Sequence, residues 1–177
     1  MSLLRLPLVV ALFLAGCSGL LTGTQVFEFD VVRDGQPNAP GQPVDLGVVG
    51  SFAETRIALG DNDTFEKHRG SIESIDRAGF EGSVDNPGSA TTFSIYFSPE
   101  AGLADPASSA TPLILGLPVP AGTTAISYRD TEAALRNMGA FAPVVAGADF
   151  SLYLVADGPS GVQIRELALV VAFTVGL

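Results

Sequence analysis

The chain has 177 residues, about the length of one domain, and 47% of them are hydrophobic, enough to fill a single core. A net charge of −10, with few basic residues and those interspersed among acidic ones, argues against nucleic-acid binding, which begins with clustered Lys and Arg that release counterions. One Cys and one His exclude an internal disulfide and the ligand sets of zinc and iron–sulfur centres, so any metal would need oxygen ligands.

Residues 1–16, MSLLRLPLVVALFLAG, set one positive charge at Arg5 ahead of an apolar run from Leu6 to Ala15 and end in small residues, the form of a secretory leader. The run falls well short of the ~20 apolar residues that a spanning helix needs. The next residue, Cys17, is the only cysteine. Leu14-Ala15-Gly16-Cys17 resembles the lipobox of bacterial lipoproteins. In that family the cysteine takes a diacylglycerol on sulfur, the leader is cut just before it, and the new amino terminus is usually acylated. The resemblance implies that Cys17 is lipidated and that the protein sits in a bacterial cell envelope, held to the membrane through its N-terminal lipid. Ser18, in place of Asp, implies delivery to the outer membrane. More than one acyl chain makes such a tether lasting, since each buried CH₂ contributes about 0.8 kcal/mol. Residues 17–24 are Gly-containing and uncharged and read as the lipidated tether. Residues 25–177 read as one domain.

Within that domain the dominant period is two. In VFEFDVV, Phe27, Phe29 and Val31 share a face opposite Glu28 and Asp30. Further along, VDLGVVGSF, TRIAL and SIESIDRAGFEGSV lean toward strands, and DNPGSA at 85–90 is the clearest reversal. TTFSIYFS places Phe93, Ile95 and Phe97 on one face; PLILGLPV and TTAISY follow as strands. RDTEAALRNMG predicts a short helix, with Asp130 as N-cap, Glu132 in the first turn and Gly139 as the stop, and DNDTFEKHRG reads as a further short turn or helix. DFSLYLVAD alternates again through Phe150, Leu152 and Leu154. In VQIRELALVVAFTVGL the buried face changes parity near Arg165 and Glu166, which predicts a β-bulge. There Ala168, Val170 and Ala172 make the second face apolar too, the pattern of a central strand covered on both sides or of one whose small residues lie under a loop or helix.

With 20 Gly and 12 Pro between strand-length runs, the expected fold is all-β: an antiparallel β-sandwich with one short inserted helix. A transmembrane barrel would want aromatic girdles, and the chain has no Trp and three Tyr. VDNPGSATTFSIYFS followed by LPVPAGTTAI is similar in turn rhythm to late-embryogenesis-abundant-type sandwiches, a likeness from which no function is carried over.

The chemistry is sparse. No G-x-S-x-G elbow or phosphate-binding loop occurs, and His68, between Lys67 and Arg69, reads as a surface histidine. Glu28 and Asp30 lie some 7 Å apart by strand rise, a spacing found in glycosidase pairs, but also that of a solvated strand face. Asp61, Asn62, Asp63 and Glu66 supply closely spaced hard oxygens of the kind calcium prefers, in a pattern that departs from an EF-hand loop; they also read as a polar turn. No catalytic residue and no cofactor other than that calcium is expected. The leading expectation is a non-enzymatic, membrane-anchored binding or assembly domain of the cell envelope, with an envelope protein as partner. Its rival is a small-ligand or lipid carrier, which would need a deep apolar cavity between the sheets.

Overall fold

The computed structural model describes residues 22–32, 35–36, 39–40, 44–46, 50–158 and 161–176; Cys17 and the leader lie outside them. In chain order the strands are β1 (Thr22–Val32), β2 (Gly35–Gln36), β3 (Ala39–Pro40), β4 (Val44–Leu46), β5 (Phe52–Ala58) and β6 (Ile72–Asn86). Then come β7 (Thr91–Ser98), β8 (Thr111–Val119), β9 (Gly122–Ile126), β10 (Asp149–Ala156) and β11 (Val162–Gly176). Sheet I runs β1-β11-β6-β9, and sheet II runs β5-β10-β7-β8, all antiparallel. The two pack as the expected sandwich. β4 joins β11 on the edge that β1 leaves after Leu167, and β2 with β3 forms a minimal hairpin between β1 and β4.

The alternations become two buried inner faces. Phe27, Phe29 and Val31 meet Phe80, Leu169, Val171 and Phe173 from sheet I, opposed by Phe93, Ile95, Phe97, Phe150, Leu152 and Leu154 of sheet II, all 9% exposed or less. The bulge is where the parity change places it. Arg165 and Glu166 together oppose Ser83 of β6, so Ile164 and Leu167 both point inward. The 85–90 reversal is also present, and it is knitted by Asn86. Its side-chain amide donates to Ser89 O (2.7 Å) and Val119 O (3.1 Å), while its Oδ1 accepts from Gly88 N (3.0 Å).

Two boundaries move. β1 begins at Thr22, so the last residues of the expected 17–24 tether already pair with the C-terminal strand, Thr22 opposite Gly176. Among the described residues there are four helices where the expected sandwich has one inserted: α1 (Asp63–Arg69, after a 3₁₀ turn at Leu59–Asp61, in the segment that also reads as a short turn or helix), α2 (Pro106–Ser109), α3 (Tyr128–Ala134) and α4 (Met138–Ala146). Ser127, not Asp130, caps α3, accepting from Asp130 N at 3.2 Å. Gly139 is no stop. The chain leaves α3 at Leu135 because Arg136 N donates to Leu113 O (2.8 Å), a tertiary bond that outweighs continuing the helix, and Asn137 turns through the left-handed region (φ 56) into α4.

All four helices belong to connections at one end of the sandwich, where β1 and β6 start and β5 and β11 finish. Phe65 of α1, fully buried, closes that end by packing edge-on to Phe27 (6.0 Å) and Phe29 (6.2 Å) and against Phe173 (5.6 Å). Phe141 of α4 does the same against Phe97 (5.0 Å) and Phe150 (5.7 Å). Beside β6, α3 takes the place of a strand. Past the last β9 pair, Gly82 with Ile126, the β6 edge at Phe80 is met by the fully buried Thr131, whose hydroxyl accepts from Phe80 N (2.7 Å) and lies 2.8 Å from Phe80 O.

Phe65→Ala is expected to cost about 3–5 kcal/mol of unfolding free energy, read by urea denaturation. Thr131→Val, which keeps the shape but strands the Phe80 amide, should cost about 1–3 kcal/mol, with Thr131→Ser retaining most of the stability. A loss for Thr131→Ser as large as or larger than that for Thr131→Val would show that the hydroxyl is not what chiefly holds the edge.

Candidate functional site

On its outer side β11 presents Ala168, Val170 and Ala172, small side chains in the middle of sheet I. β1 raises Val26, Glu28 and Asp30 along one flank, and β6 contributes Arg77, Gly79 and Glu81 along the other. α3 builds that second flank higher. Tyr128 lies directly on Gly79, where an added Cβ would stand 2.7 Å from its Cδ2, so only glycine lets the ring reach the strand. Arg77 forks onto Glu132 with Nη2 3.1 Å from Oε2, fixing the helix to the sheet.

The result is a groove floored by β11. Ala168 and Ala172 are each only 8% exposed, yet Val26 beside them is 64% exposed. Among the described residues neither expected arrangement, cover on both sides or small residues lying under a loop or helix, is complete: the second face is apolar, and α3 stands at its margin. Nearer the helical end the groove is mainly apolar, a hollow of about 430 Å³ with Val26, Tyr128, Val170 and Ala172 in its wall and Asp76 and Arg77 at its side. Toward the other end it is acidic. That hollow, about 460 Å³, is lined by Glu28, Asp30, Glu81 and Glu166, with no basic side chain in its wall among the described residues. The bulge supplies one of the four, since it turns Arg165 toward Asp85 and leaves Glu166 exposed at the head of the groove.

Charge on the groove's flank is tuned by local pairs. Arg77 holds the Glu132 carboxyl below its ordinary value, chiefly through the hydrogen bond. Hydrogen bonds from Ser74 (2.6 Å) and Thr174 (2.7 Å) do the same for Asp76 beside the apolar hollow. Burial comes first among the causes that push the Tyr128 hydroxyl up.

The residues singled out for chemistry fall in two places. Glu28 and Asp30 share the open acidic half of the groove, joined there by Glu81 and Glu166, which no sequence spacing connects. Asp61, Asn62, Asp63 and Glu66 open α1. Asn62 Oδ1 accepts from Phe65 N (3.0 Å) as an N-cap, Asp63 and Glu66 sit in the first turn, and Glu66 lies 3.6 Å from Arg69. Helix initiation accounts for that composition, and among the described residues no group of three or more His, Cys, Asp or Glu is placed to hold a metal ion. His68 is half-buried in the last turn of α1. Among the described residues no helix is long and apolar enough to cross a membrane. The sequence signal for the groove was the apolar second face of β11; Val26, Tyr128 and Gly79 gave none. No protein-family model matches this chain, and no curated protein matches it.

Because the folded state favours ionised Glu132, the contribution of its pair with Arg77 is complete above the ordinary carboxyl value of 4.5 and is lost as the pH falls through the lower folded value. Glu132→Gln is therefore expected to lose less melting temperature than the wild type between about pH 5 and about pH 3, by a small margin because the pair is solvent-screened. Parallel curves for the two proteins would show that the pair does not hold α3.

Proposed function

We propose that this protein is a membrane-anchored lipoprotein of the bacterial cell envelope, held at the outer membrane by acyl chains on Cys17, whose domain is a non-catalytic binding or assembly module. The observation that supports the binding role is the groove on sheet I, which no layer covers among the described residues, with its apolar floor at Ala168, Val170 and Ala172 and the exposed Val26 on its flank. A strand face turned to solvent on both counts of hydropathy and depth is the surface at which a partner gains most by excluding water. The anchor rests on the lipobox-like Leu14-Ala15-Gly16-Cys17.

The carrier reading finds less support. Between the sheets the space is filled by Phe65, Phe80, Phe93, Phe97, Phe141 and Phe150, each 2% exposed or less, and the hollows described above lie on the outer face. A carried ligand would have to displace aromatic side chains that pack at 5.0–6.2 Å centroid spacing.

Mass spectrometry of the native polypeptide is expected to find residue 17 as the amino terminus, bearing acyl groups. A photo-crosslinking residue at Val26 in the acylated protein should then yield a discrete protein adduct in its own envelope, and Val170→Arg should abolish that adduct without unfolding the domain. Crosslinks to lipid or a small molecule alone, with no protein adduct, would favour the carrier instead.

A further inference from the structure

We propose that α4 is the face on which the domain rests against the lipid surface; the inference depends on the acylation of Cys17 proposed above. Cys17 is five residues from Thr22, where β1 is already paired with Gly176. Fully extended, five residues reach about 17 Å, so the end of the sandwich at which β1 starts is the end brought to the bilayer. That end carries the helices. Phe27 of β1 packs on Phe65 of α1, and Arg69 at the close of α1 donates to Gly147 O (3.3 Å) just past α4, so the strand that leads to the anchor and the end of α4 are linked through one short helix.

The sequence of α4 suits a lipid interface and not open water. From Met138 to Ala148 no side chain carries a charge or a hydrogen-bonding group. Phe141 and Val145 point into the core, while Gly139, Ala140, Pro143 and Ala146 are exposed, with Met138, Ala142 and Val144 half-buried. An ordinary surface helix would carry polar residues on that outer side. The neighbouring α1 does so, with Asp63, Glu66, Lys67 and Arg69. Small outward side chains let the helix backbone approach the headgroups closely, while the acyl chains supply the affinity. Acidic groups elsewhere at this end, such as Asp63 and Asp149, restrict the contact to α4 and make it shallow.

The chain contains no Trp, so one introduced residue is a unique reporter. The acylated full-length protein carrying Ala140→Trp, or Ala146→Trp should the first variant misfold, is placed on phosphatidylethanolamine–phosphatidylglycerol vesicles with brominated acyl chains. Ala121→Trp, in the turn between β8 and β9 at the far end, is the control. Quenching several-fold stronger at residue 140 or 146 than at 121, together with slowed amide exchange across 138–147 of the wild type on vesicles, is the expected result. Equal quenching at both ends in protein whose Cys17 acylation is verified by mass spectrometry would overturn the orientation and leave the anchor standing. An unacylated Cys17 would overturn both.

Discussion

One extra residue in β11 organises sheet I. An unbroken alternation from Val162 to Val175 would turn either Val162 and Ile164 or the series beginning at Leu167 out of the core. Setting Arg165 and Glu166 together against Ser83 lets both groups face inward. Every strand of sheet I depends on that slip: β4 pairs with β11 before it, β1 after it, and β6 spans it. Gly82 is part of the same arrangement, since a side chain there would collide with Glu166 O. The bulge also leaves two consecutive side chains in solvent, and so it sets an ion pair with Asp85 and a carboxylate at the groove head by the same geometry that completes the core.

The groove exists because the outer side of sheet I is finished differently at its two margins. At the β1 margin the strand pairs with β11 alone among the described residues, its outward Val26, Glu28 and Asp30 are exposed, and the corner of sheet II at Arg56 and Ile57 lies beside them. At the β6 margin β9 stops after Ile126, and the backbone of Phe80 would be left with unmet donors and acceptors in a buried position, which is costly. The Thr131 hydroxyl answers that need, which draws α3 against the strand and brings Tyr128 down onto Gly79. A hydrogen-bonding requirement at a sheet edge thus raises one wall of the groove, and the small residues of β11 set its depth.

What was legible in the sequence follows from range. Alternation is a property of neighbouring residues, so the strands, the inward Phe27, Phe93 and Phe150, the 85–90 turn and the parity change at Arg165 could all be read locally. The helix at 129–139 could not. Its composition favours one helix to Gly139, but Leu113 O, distant in sequence, claims Arg136 N and splits the segment into α3 and α4. The oxygen-rich Asp61-Asn62-Asp63 run is ambiguous for a related reason: helix caps and calcium loops draw on the same residue types, and the part it plays in opening α1, through the contact from Phe65 N to Asn62, depends on where Phe65 is buried. Glu28 and Asp30 were visible as a pair, but Glu81 and Glu166 join them through strand pairing alone.

The proposed anchor and the groove constrain each other. Strands of sheet I run from the helical end to the turn end, so a groove floored by β11 lies along the axis that a short tether at β1 would set upright on a membrane. Its apolar half, at Val26, Tyr128 and Ala172, then lies nearer the lipid, and its acidic half, at Glu28, Asp30, Glu81 and Glu166, faces away. That order is electrostatically the favourable one. An anionic headgroup layer repels carboxylates within about a Debye length, roughly 8 Å at physiological salt, and the acidic hollow is the part of the groove that gains from standing farther off. The reverse attachment, through the turn end, would lift the uncharged α4 into water; carboxylates stand at both ends, with Asp63, Glu66 and Asp149 at the helical one, so it is the apolar outer side of α4 and not net charge that favours the end at which β1 begins.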